Sequence, residues 1–178
     1  MINLLVDKIA LVTGAGRGIG RAIAIALAAE GAKVALTGRN VPRLNHVMGE
    51  IQKAGGQAAS WQMDVSDEAA VEATIREILD QWGRINILVN NAGVASSAPV
   101  RSLDLEEWER LHRINATGPF LCTKEFFEGM TGRGWGRVIT IASIAGEQAT
   151  ARYAPNIQAA SARVEEDLPA ALFADLKQ

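Results

Sequence analysis

Residues 13 to 20 read Thr13-Gly14-Ala15-Gly16-Arg17-Gly18-Ile19-Gly20, four glycines on alternate positions. A backbone that turns sharply and lets a diphosphate approach its N–H groups has no room for Cβ atoms, so glycine has a mechanical use here. A helix opening at Ile19 points its N-terminus at the same anion. A glycine cluster alone also fits an ordinary tight turn. Its placement decides between the two: it follows the apolar run Lys8 to Thr13, opens a helix, and comes first in a series of alternating elements.

A second apolar run ends in Thr37-Gly38-Arg39-Asn40. NAD sites usually place an acid there for the ribose 2′-hydroxyl, whereas a 2′-phosphate requires a cation. No carboxylate is present. Arg39 can stack on adenine while forking onto phosphate, and Arg17 in the glycine turn offers a second contact. These residues predict NADP in preference to NAD.

The elements that must position these groups alternate between short β-rich runs and longer helical stretches, which predicts an α/β fold, a doubly wound parallel sheet in a single domain. Strands are expected at 8–13, 33–37, 58–63, 85–89 and 137–142, with helices at about 19–30, from 41 to the Gly55-Gly56 pair, from Ser66 as cap to Trp82, and across 108–130. Asp104 and Glu107 resemble a capping box for the last helix, and Gly118-Pro119 should kink it midway. Beyond 142 the signals weaken. A stretch from Ala159 to Leu168 has helical character, Pro169 disrupts it, and no sixth strand is evident.

Composition bounds the function. The chain has 178 residues, 48% of them hydrophobic, enough to fill one core. A formal charge of -2 supplies neither the cationic field for nucleic acid nor a basic membrane face. The single cysteine, Cys122, makes no internal disulfide, and His46 and His112 stand too far apart for a recognisable metal spacing. Asp7 and Lys8 interrupt the N-terminal apolar stretch, and the longest apolar run, Ala22 to Ala29, is far short of a bilayer of about 30 Å. A cytoplasmic protein without metal, nucleic acid or membrane is the expectation.

Several motifs together resemble the short-chain dehydrogenases/reductases. Their Thr-Gly-x-x-x-Gly-x-Gly fingerprint is met by Thr13, Gly14, Gly18 and Gly20. Asp64-Val65 is similar to the family's adenine-contacting pair, and Asn90-Asn91-Ala92-Gly93 matches its Asn-Asn-Ala-Gly element. Asn115 lies where the family keeps an active-site asparagine, and Ser143 where it keeps the active-site serine. The resemblance covers about residues 6 to 155 and implies a Rossmann-like fold, hydride transfer between NADP(H) and a small carbonyl or alcohol, and a homo-oligomer.

The resemblance also implies a tyrosine thirteen residues after the serine and a lysine four further on, but Asn156 and Ala160 occupy those positions. The only tyrosine is Tyr153, followed four positions later by Ile157. Asn156 can donate a hydrogen bond but releases no proton near neutral pH, and loss of a positioned acid costs about 10²–10⁴ in rate. The chain also stops before the later strands of the resembled fold. Residues 1–155 are therefore expected to form the nucleotide-binding domain and 156–178 a divergent segment. That segment could cover the open sheet edge with Leu168, Leu172, Phe173 and Leu176, leave it to a partner subunit, or remain a tail. Two functions stay open, a reductase and a catalytically silent cofactor-binding or interaction protein, as does a native C-terminus different from this one.

Overall fold

A computed structural model describes residues 4–96 and 102–143. They form a five-stranded, all-parallel sheet in the order β3-β2-β1-β4-β5, from β1 (Ile9–Thr13), β2 (Lys33–Gly38), β3 (Gln57–Gln62), β4 (Ile87–Asn90) and β5 (Arg137–Thr140). The predicted doubly wound sheet is present. Its order reverses between β1 and β4, which opens a crevice beyond their carboxyl ends.

Helices α1 (Gly18–Ala29), α2 (Val41–Lys53) and α3 (Glu68–Trp82) connect the first four strands. Alternate strand residues feed two cores, as a sheet covered on both faces requires. Val12, Leu36 and Val89 join Ala24 and Val47 on one face, while Leu11, Ala35 and Leu88 join Ile75, Leu121 and Phe126 on the other.

Several boundaries move from their sequence-based positions. Asp67, not Ser66, caps α3, because its side chain accepts the Ala70 N–H at 3.1 Å. Ser66 instead donates to Asp64. The fourth strand begins at Ile87 because the Asn86 side chain accepts the Ile9 N–H at 2.9 Å. The fifth ends at Thr140.

The long helix is three pieces: α4 (Leu105–His112), a π-helical stretch Arg113–Thr117, and α5 (Gly118–Gly132). Asp104 caps α4 by accepting the Glu107 N–H at 2.7 Å, while the Glu107 carboxylate pairs with Arg110. The irregularity lies before Gly118-Pro119, since Pro119 opens α5, where its missing N–H costs nothing. A Cβ on Gly118 would stand 2.9 Å from Val65 Cγ2, so glycine serves close packing here.

Candidate functional site

The glycine turn leaves β1 at Gly14, whose φ of +64° favours glycine, and reaches α1 through Gly18 at φ +54°. It is braced from behind. Thr13 Oγ1 accepts the Asn91 and Ala92 N–H groups at 3.0 and 2.9 Å and donates to the Val89 carbonyl. The Asn91 amide in turn donates to the Thr13 carbonyl at 2.8 Å and to the Gly14 carbonyl at 3.4 Å. A Cβ on Gly20 would meet Asn91 Nδ2 at 2.4 Å and the Gly14 carbonyl oxygen at 2.5 Å, so β1, α1 and the end of β4 close on one another only through glycine.

The front of the turn is open. A Cβ on Gly18 would meet no heavy atom within 4 Å, and a cavity of about 710 Å³ lies before it. That volume suits a small-molecule or cofactor site, for which about 300–1,000 Å³ is usual. Helices α2, α3 and α4 each have a side-chain oxygen as cap, from Asn40, Asp67 and Asp104. Helix α1 has none, and no acid in its first turn. Its N-terminal dipole and N–H groups therefore face the cavity without a protein anion. The Ala15 N–H is otherwise engaged, donating to the Thr37 carbonyl.

All eleven residues expected to meet a dinucleotide line this one cavity. Gly14, Arg17, Gly18, Ile19 and Gly20 form its floor, and Arg39, Asp64 and Val65 lie beyond the ends of β2 and β3. Asn91, Ala92 and Gly93 follow β4. Arg39 is exposed but faces Asp64, its Nη1 lying 3.8 Å from Asp64 Oδ2. Burial opposes the charged form of Asp64, but hydrogen bonds from the Ser66 hydroxyl and N–H, with Arg39 nearby, hold its carboxyl below the ordinary value.

The two residues expected to act on substrate do not share that wall. Asn115 sits behind it in the π-helical stretch, where its Oδ1 accepts the Val94 N–H at 2.9 Å and its Nδ2 donates to the Val94 carbonyl at 2.8 Å. Its amide is thus a brace for the loop after β4. Ser143 stands exposed beyond β5. Tyr153, Asn156 and Ala160 lie outside the described residues, as does the expected edge-covering segment. Cys122 offers no nucleophile, because burial, with Glu125 nearby, pushes its thiol up to about 12.

Sequence reasoning missed Arg43, which lines the cavity from the first turn of α2. The signal was available: Asn40 caps that helix by accepting the Arg43 N–H, so its first turn opens on the same crevice as Arg39. It also missed Thr13 as the hydroxyl that ties β4 to the turn. Among the described residues no cluster of three metal-ligating side chains occurs, and no helix is long and apolar enough to cross a membrane.

The sequence model of the short chain dehydrogenase family matches residues 8–156. The chain belongs to that family. A 3-oxoacyl-[acyl-carrier-protein] reductase of Synechocystis sp. is 40% identical over 146 residues, covering 82% of this chain and 59% of that protein. A sorbitol dehydrogenase of Cereibacter sphaeroides is 40% identical over 146 residues, covering 81% and 56%. The chain thus spans little more than half the length of these curated relatives. Among solved structures, a metagenomic short-chain oxidoreductase in complex with NADP superposes with a TM-score of 0.85 at 39% identity, covering 88% of this chain and 71% of that one. The matched fold is a short-chain dehydrogenase fold, and the family is one of oxidoreductases.

Proposed function

We propose that this short-chain dehydrogenase binds NADP(H) in the cavity before the glycine turn and descends from enzymes that move hydride between that cofactor and a small carbonyl or alcohol. The supporting observation is that an uncapped helix N-terminus, an open Gly18 and three arginines, Arg17, Arg39 and Arg43, line one cavity. The diphosphate would lie against the α1 N-terminus and a 2′-phosphate near Arg39. Asp64 and Val65 would flank the adenine. The bound nicotinamide supplies the hydride chemistry. Asn91 and Asn115 act through the backbone they brace, and Ser143 is the candidate donor to a substrate oxygen.

A second reading, a silent nucleotide-binding or interaction protein, draws on one observation: Asn156 and Ala160 stand where the family resemblance implies the tyrosine and lysine. In either reading residues 1–155 are the nucleotide-binding unit, and the protein works in the cytoplasm as a homo-oligomer. Following NADPH fluorescence on titration tests the binding. Saturable binding, lost in Gly18→Asp and stronger than that of NADH, is expected. No saturable change in the native chain sinks the proposal. Turnover on a panel of ketones and alcohols, abolished by Ser143→Ala, would establish the reductase; binding without turnover would establish the silent protein.

A further inference from the structure

We infer that Asp64 tunes the nucleotide preference of the cavity by holding Arg39, so that the carboxylate competes with a 2′-phosphate for the same guanidinium. The inference deepens the NADP reading above and rests on it. It begins with the strand ends. Gly38 and Gln62 are partners in the β2–β3 register, and the Met63 N–H donates to the Gly38 carbonyl, so the chain carries Arg39 and Asp64 out of the sheet side by side.

Asp64 is fixed from one side only. Its Oδ1 accepts the Ser66 N–H at 3.0 Å and the Ser66 hydroxyl at 2.6 Å, which leaves Oδ2 facing Arg39 at 3.8 Å. Arg39 is anchored at its carbonyl, which accepts from Gln62 Nε2 at 3.4 Å, while its side chain is 66% exposed. Among the described residues its ion-pair partner is Asp64. A dianionic phosphate recruiting Arg39 must displace that contact and approach a like charge. Exposed ion pairs are weak, so Asp64 biases the choice rather than fixing it. A neutral residue there should favour phosphorylated ribose by about two- to five-fold.

The test is calorimetric titration of the full chain with adenosine 2′,5′-bisphosphate and with adenosine 5′-monophosphate, in the native protein, Asp64→Asn, Arg39→Gln and the double variant. Both ligands carry adenine, so any contact of residue 64 with the base cancels in the ratio of their affinities. The bisphosphate preference should rise in Asp64→Asn, fall in Arg39→Gln, and be unaffected by Asp64→Asn once Arg39 is gone. Asp64→Ser carries the same expectation should Asp64→Asn not fold. An unchanged ratio in Asp64→Asn, with Arg39→Gln still lowering it, overturns the role of Asp64 and leaves the NADP reading standing. A rise that persists without Arg39 overturns it too, because repulsion alone would then act. If the native chain shows no bisphosphate preference and Arg39→Gln changes nothing, both readings fall.

Discussion

The interior strands of the sheet and its β5 edge are built to different standards. β1 and β2 are buried along most of their length, and the cavity beyond them is walled by the ends of four strands, β1 to β4, and by helices α1 and α2. At the edge, β5 pairs with β4 alone among the described residues, and Ile139 and Ile141 are 45% and 36% exposed. The residues expected to hold a nucleotide lie beyond the ends of β1 to β4, and Ser143 lies beyond β5. Holding a nucleotide depends on contacts that residues up to Gly93 complete, whereas a catalytic centre at β5 depends on whatever covers that edge.

If the interior strands owe their order to buried polar bracing, Thr13→Val should have the largest effect. The valine matches threonine in shape but orphans the Asn91 and Ala92 N–H groups, each worth about 1–3 kcal/mol when left unpaired. Urea unfolding should lose at least that much stability, and an unchanged midpoint would show that the hydroxyl does not hold β4 to the turn. Gly20→Ala comes next. Its methyl group would overlap the Gly14 carbonyl, a backbone atom that cannot swing aside. Overpacking of this kind costs about 1–3 kcal/mol. NADPH affinity should fall by about tenfold or more, whereas Gly18→Ala, with open space but a strained φ, should lose less.

What could be read without a structure follows the same division. Buried parallel strands announce themselves as continuous apolar runs, so Ala10 to Val12, Val34 to Leu36 and the glycine turn were legible residue by residue. The Arg39–Asp64 contact was not, because 25 positions separate the two and only the β2–β3 register brings them together. The π-helical stretch was hidden for another reason. Asn115 holds the Val94 backbone from within it, a tertiary demand that no local propensity encodes. Asn91 and Asn115 stood out in the sequence as candidate site residues but not as braces, since side-chain partners far along the chain decide that.

The exposed edge predicts a smaller effect. Ile139→Ala should cost under about 1 kcal/mol in the full chain if the edge is open to water, well below the 2–5 kcal/mol expected for Leu88→Ala on the adjacent buried strand. Comparing the two by thermal denaturation sharpens the contrast. Equal losses would mean that residues 144–178 or a second subunit cover β5, and edge and interior would then be alike in construction.

The smallest expected effect separates the forces on Asp64. Its folded carboxyl ionises below the ordinary value of about 3.9, so the stability it contributes is complete above the unfolded value and is lost as pH falls through the folded one. The stability gap between the native chain and Asp64→Asn should therefore be level above about pH 5 and shrink as the pH drops below about 4. Burial pulls the other way, the Ser66 hydroxyl does most to overcome it, and Arg39 does least. Ser66→Ala should accordingly reduce this acid dependence more than Arg39→Gln. Melting curves from pH 2.5 to 6, fitted for the three variants, decide the order. The reverse order would make Arg39, not Ser66, the main support of the charge, and its recruitment by a phosphate would then disturb the strand ends around the cavity more than a weak surface pair allows.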